Sequence, residues 1–135
     1  MIDDDPGDVQ AHSEYLEGIG GHEVIKASNA RQAVEQIQMH RGSVDVVILD
    51  VMLPAGDVYH AEEVSLGLTT GALLVDLIRL ELPGTPVLVW SGWNGVGQDV
   101  IRERIFGSGI PQEHYMAKPL GCAELLAKVN GVVRT

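Results

Sequence analysis

The run Val46-Val47-Ile48-Leu49-Asp50-Val51-Met52-Leu53-Pro54 decides how this chain is read. An apolar stretch ends on a carboxylate, and a proline follows soon after. The pattern predicts a buried strand that stops at the rim of a sheet. In open α/β sheets that rim, outside the carboxyl ends of the strands, is where chemistry gathers. Two other apolar runs end on reactive groups: Val87-Leu88-Val89-Trp90 reaches Ser91-Gly92, and Tyr115-Met116-Ala117 reaches Lys118-Pro119. Near the start, Ile2 precedes Asp3-Asp4-Asp5-Pro6. Carboxylates, a hydroxyl and an amine can thus converge on one edge.

Around these strand ends, helical and extended periods alternate. Residues 8–19 place Val9, His12, Leu16 and Ile19 on one helical face and stop at Gly20-Gly21. Residues 23–27 read as a short strand. Residues 29–41 carry Ala30, Ala33, Val34 and Ile37 on a stripe, with Ser28 or Asn29 as cap and Gly42 as stop. A third helix is expected over 71–82, ended by Pro83-Gly84, then a strand over 86–90 and a helix over 96–106. A short strand over 114–117 and a helix over 122–133, striped by Leu125, Leu126, Val129 and Val132, complete the chain. Strands alternating with helices imply a parallel sheet covered on both faces. Only Met1 and Ile2 precede the aspartates, whereas a strand needs about five residues, so the first strand is nearly absent. The start therefore reads as truncated or misplaced. The chain as written is expected to be marginally stable or to complete its sheet from a partner.

Composition narrows the function classes. The 135 residues fit one domain, with 45% hydrophobic and 21% charged residues. The net charge of −10 argues against direct nucleic-acid binding, which needs clustered Lys and Arg. A lone Cys122 excludes an internal disulfide framework and suits a reducing, cytoplasmic compartment. No apolar run approaches the roughly 18 residues of a membrane span. The histidines His12, His22, His40, His60 and His114 lack metal-ligand spacing. His12 reads as a packed core residue, and Cys122 as a small buried hydrophobe.

Taken in order and register, Asp3-Asp4-Asp5-Pro6, Asp50-Val51-Met52-Leu53-Pro54, Ser91-Gly92 and Lys118-Pro119 resemble the receiver (phosphoacceptor) domain of bacterial two-component response regulators. The resemblance covers essentially the whole chain, 1–135, as a single receiver domain. It implies a flavodoxin-like (CheY-like) α/β fold, a doubly wound parallel sheet of order 2-1-3-4-5 with its first strand truncated. It also implies that Asp50 accepts a phosphoryl group from a histidine kinase or phosphotransfer protein. Mg²⁺ would be bound by Asp4, Asp50 and the backbone carbonyl of Met52, with Asp3 acting directly or through a water. Ser91 and Lys118 would hold phosphoryl oxygens, and Ser91 with Tyr115 would switch a face that binds a downstream effector protein. A homodimer stays open. The chemistry is coherent, because phosphoryl transfer depends on positioning and charge neutralisation and Mg²⁺ prefers hard oxygen ligands.

Two other readings compete. A degenerate receiver could serve as a constitutive interaction module. A Mg²⁺-dependent phosphatase with an aspartyl nucleophile wants a second carboxylate two positions after Asp50, where Met52 stands. One departure from the family concerns 55–70, an insertion carrying Asp57, Glu62 and Glu63. As a hypothesis, this long segment tunes kinase access or phosphoryl lifetime. Deleting 58–68 should then change the rates of phosphorylation or dephosphorylation, and unchanged rates would discard the idea.

Overall fold

The computed structural model describes residues 1–3, 5–50, 70–91, 103, 107, 109–118 and 120–133. The described elements are α1 (Pro6–Gly18), α2 (Ala30–Met39), β1 (Val47–Asp50), α3 (Thr70–Glu81), β2 (Val87–Ser91), a 3-10 turn (Gln112–His114), β3 (Tyr115–Ala117) and α4 (Cys122–Val133). The strands pair in parallel in the order β1-β2-β3. Ile2 forms parallel bridges to both Ala27 and Leu49. Its place between them extends the sheet to the expected order, with a first strand reduced to a stub. Most of the expected helix over 96–106 and all of 55–69 lie outside the described residues.

Side-chain alternation along the strands divides the core. Val47, Leu49, Val87 and Val89 face α2 and α3, where Ala30, Ala33, Ile37, Leu74, Val75 and Ile78 close the layer. Ile48, Leu88, Trp90 and Met116 face α1 and α4, meeting Leu16, Leu125 and Val129. Helices thus cover both faces, as a parallel sheet requires. Asn29 caps α2, its side chain accepting from the Gln32 N–H at 2.9 Å. The Gln32 side chain reaches back to the Ser28 N–H at 2.9 Å, giving a reciprocal lock close to a capping box. Gly42 and Gly84, at φ 88° and 83°, turn the chain after α2 and α3 in a backbone region that favours glycine.

Three sequence expectations need correction. Residues 23–27 do not form a strand; within them only Ala27 bridges. The cause is the short partner, since the stub offers Met1, Ile2 and Asp3 and nothing earlier in the described chain. Ile19 lies beyond the end of α1 and is 69% exposed, so it does not join the buried face. Cys122 is only partly buried, with its thiol 3.7 Å from the Ala11 carbonyl.

The stub nevertheless makes a regular double ladder. Ile2 N–H donates to Ile48 O at 2.7 Å and Asp50 N–H to Ile2 O at 2.8 Å. On the other side, Ala27 N–H donates to Met1 O and Asp3 N–H to Ala27 O, each at 3.0 Å. The Met1 ammonium takes the next ladder position, donating to Ile25 O at 2.6 Å. Beyond it lies a cavity of about 510 Å³ whose walls include Val24, Ile25, Val46 and Ile48. By the alternation of parallel pairing, the N–H groups of Ile25 and Ile48 face this gap.

Burial is costly for the ammonium: desolvation lowers its pKa from 8.0 to about 5, against a smaller opposing pull from Asp3. Between those values the unfolded chain binds more protons than the folded one, so this group removes stability as pH falls from 8 toward 5. Joining a short run of β-branched apolar residues to Met1 replaces the amine by an amide and extends both ladders. The lengthened chain should melt at a higher temperature, by an interval that widens from pH 8 to pH 5. Thermal melts of both chains at the two pH values check this, and equal melting temperatures would contradict it.

Candidate functional site

The carboxyl end of β1 and the stub beside it bring two carboxylates together. Asp50 closes β1, pairs with Trp90 of β2 and is 3% exposed. Asp3 is fully buried, fixed by its backbone bond to Ala27 and by an Oδ1 that accepts the Asp5 N–H at 2.9 Å. Asp5 in turn accepts the Gly7 N–H at 2.9 Å. These successive aspartate turns, in which a side chain bonds its own backbone two residues on, lead the chain from the stub into α1.

Lys118, just past β3, answers both carboxylates. Its Nζ donates to Asp3 Oδ2 at 2.9 Å and to Asp50 Oδ2 at 3.3 Å. The lysine side chain is 17% exposed. Buried charges are tolerated when paired and hydrogen-bonded, so the ammonium is what lets both acids sit there. Among the described residues, this one ammonium faces two carboxylates. Carboxylate oxygens are also the hard donors that Mg²⁺ prefers. In charge and donor type, Asp3 and Asp50 therefore fit such an ion.

Lys118 also rests on an aromatic floor. Its Nζ lies 4.6 Å from the ring centroid of Trp90, within the range of a cation–π contact. His12 meets the same ring at right angles, with centroids 5.0 Å apart. Its Nε2 sits 2.8 Å from the carbonyl of Leu120, two residues after the lysine. The packed role expected for His12 therefore holds. Trp90 is fully buried, and among the described residues its Nε1 has no hydrogen-bond partner. Such a group costs about 1–3 kcal/mol. Sequence reading missed this pairing of tryptophan and lysine. The available signal was a bulky indole directly before Ser91 at the strand end.

Of the residues expected at the site, the structure brings Asp3, Asp50 and Lys118 into contact. Ser91 ends β2 opposite Ala117 in the β2–β3 pairing, which puts its backbone on the same rim. Its hydroxyl lies outside the described part of the chain, as do Asp4, Met52 and Pro119. Tyr115 opens β3 half-buried and packs against the core layer on the α2–α3 side. It therefore lies on the opposite face of the sheet from Trp90. Among the described residues, no group of three His, Cys, Asp or Glu side chains could hold a metal. No described helix is long and apolar enough to cross a membrane.

Comparison with known proteins places this geometry. The model of the response regulator receiver domain matches residues 1–130. An uncharacterized transcriptional regulatory protein, YcbL of Bacillus subtilis, is 29% identical over 136 residues, covering 99% of this chain and 50% of the relative. A receiver domain protein from Methanospirillum hungatei superposes with a TM-score of 0.72 at 21% identity, over 98% of this chain and 90% of the other. The beryllofluoride-activated N-terminal receiver domain of Klebsiella pneumoniae RstA gives 0.71 at 23%, over 99% and 96%. The chain spans about half the length of the curated relatives it matches first.

The close approach of two buried carboxylates has a measurable consequence for stability. Replacing Asp50 by Asn removes one of two buried acids and leaves Lys118 paired with Asp3. Asp50→Asn should stabilise the fold by about 0.5–2 kcal/mol in the absence of divalent cations, as relief of a strained functional site commonly does. Denaturant unfolding in chelator-treated buffer reads this, and a destabilised variant would refute it.

Proposed function

The chain belongs to the response regulator receiver domain family, and from that premise we propose that Asp50 is its phosphoacceptor. The observation that carries the proposal is the buried contact of Lys118 Nζ with Asp50 at 3.3 Å and Asp3 at 2.9 Å. A carboxylate attacks phosphorus poorly while its charge repels the phosphoryl oxygens. Local positive charge must therefore offset that repulsion.

In the proposed step, an Asp50 oxygen forms the new O–P bond as the N–P bond of a kinase phosphohistidine breaks, and the imidazole leaves. Lys118 follows the transferred group as a point charge suited to a phosphate oxygen. Ser91, whose backbone ends β2, would donate its hydroxyl to the same group. Mg²⁺, held by Asp3, Asp4, Asp50 and the Met52 carbonyl, would supply further charge neutralisation. The added oxygens on Asp50 would draw Ser91 inward, with Tyr115 following. That local event would bias a protein-binding face between two states.

On this reading residues 1–135 act as one receiver unit in the cytoplasm, taking phosphate from a histidine kinase or phosphotransfer protein and signalling to an effector. The lone cysteine and the net charge of −10 support the compartment and the absence of direct nucleic-acid contact. Incubation with acetyl phosphate and Mg²⁺ should give one phosphoryl adduct by intact mass, absent without Mg²⁺ and absent in Asp50→Asn. Lys118→Ala should slow its formation by roughly 100-fold, the scale for losing one charge-stabilising group. An adduct that persists in Asp50→Asn would move the acceptor elsewhere.

A further inference from the structure

We propose that Trp90 is a positioning residue for phosphoryl transfer, its indole face seating the Lys118 ammonium between Asp3 and Asp50. The proposal rests on the phosphoacceptor reading above and adds the group that aims the lysine. A lysine amine on four methylenes is flexible, so the groups packed around it decide where its nitrogen sits. The Trp90 ring lies 4.6 Å beneath that nitrogen, supplying negative potential from a third direction.

The seat itself is rigid. Trp90 is fully buried, and its backbone is clamped between β1 and β3, opposite Asp50 on one side and Met116 on the other. His12 of α1 packs against the ring and holds the Leu120 carbonyl, so the loop that carries Lys118 is pinned from both sides of the lysine. The indole N–H has no partner among the described residues, a penalty that leucine or phenylalanine at this position would not carry. The π face toward Lys118 gives the larger ring a use beyond filling space. Only 17% of the Lys118 side chain meets solvent.

Shape and electrostatics can be separated at this ring. In a Trp93→Phe background Trp90 is the only indole, and biosynthetic incorporation of mono- and multi-fluorinated tryptophans drains the π face with little change in size. The rate of Asp50 phosphorylation by acetyl phosphate with Mg²⁺ should fall stepwise with fluorination, by about ten-fold across the series, while the melting temperature stays nearly constant. Trp90→Leu should be slower still, with Trp90→Phe recovering part of the loss. A purely structural tryptophan would show rates indifferent to fluorination, and that result overturns the proposal.

A second readout does not need phosphorylation. Proton NMR of the unmodified chain should show a nuclear Overhauser contact between the Lys118 ε-methylene and the Trp90 ring. If the parent takes no phosphoryl group at Asp50, the phosphoacceptor reading fails, and this contact alone judges the seat. Its absence would refute the positioning role even in a chain that phosphorylates normally.

Discussion

Two carboxylates withdrawn from water at neighbouring strand ends require a cation, and Lys118 provides it. Without that ammonium, Asp3 and Asp50 would face each other as like charges in a low-dielectric setting. The contact spans 115 residues of sequence to Asp3 and 68 to Asp50. It therefore ties the first turn of the chain, the end of β1 and the loop after β3 into one unit.

The sheet makes that possible through its parity. Residues 48, 88, 90 and 116 fall on the α1–α4 side, which puts a tryptophan directly under the lysine loop and a histidine of α1 against it. The α2–α3 side is filled by small and branched aliphatics, with Ala30 and Ala33 letting α2 lie close to the strands. Chemistry and packing are thus divided between the two faces. A one-residue register slip in β2 would exchange them.

Much of this was legible in the chain because the signals were local. The helix over 122–133 matches its apolar stripe at both ends, and a cap among Ser28 and Asn29 resolves to Asn29. Asp50 and Lys118 stood out because each ends an apolar run, and strand ends in a parallel sheet share one rim. Residues 23–27 misled because extended character needs a partner to become a strand, and the partner supplied by the described chain is three residues long. Ile19 misled because helical period was carried past the glycine that ends α1. The stacking of Lys118 on Trp90 was hidden for another reason: cross-strand register brings together residues that no sequence window contains.

The stub at residues 1–3 serves two neighbours at once, and that couples their fates. Ile2 bridges both the Ala27 segment and β1, and the Asp50 amide bonds directly to it. Opening free energies vary widely across a fold. Here the same fluctuation that lifts the first three residues also releases the backbone of Asp50 and removes Asp3 from the lysine. The integrity of the acidic rim is therefore tied to how tightly Ile2 and Asp3 are held.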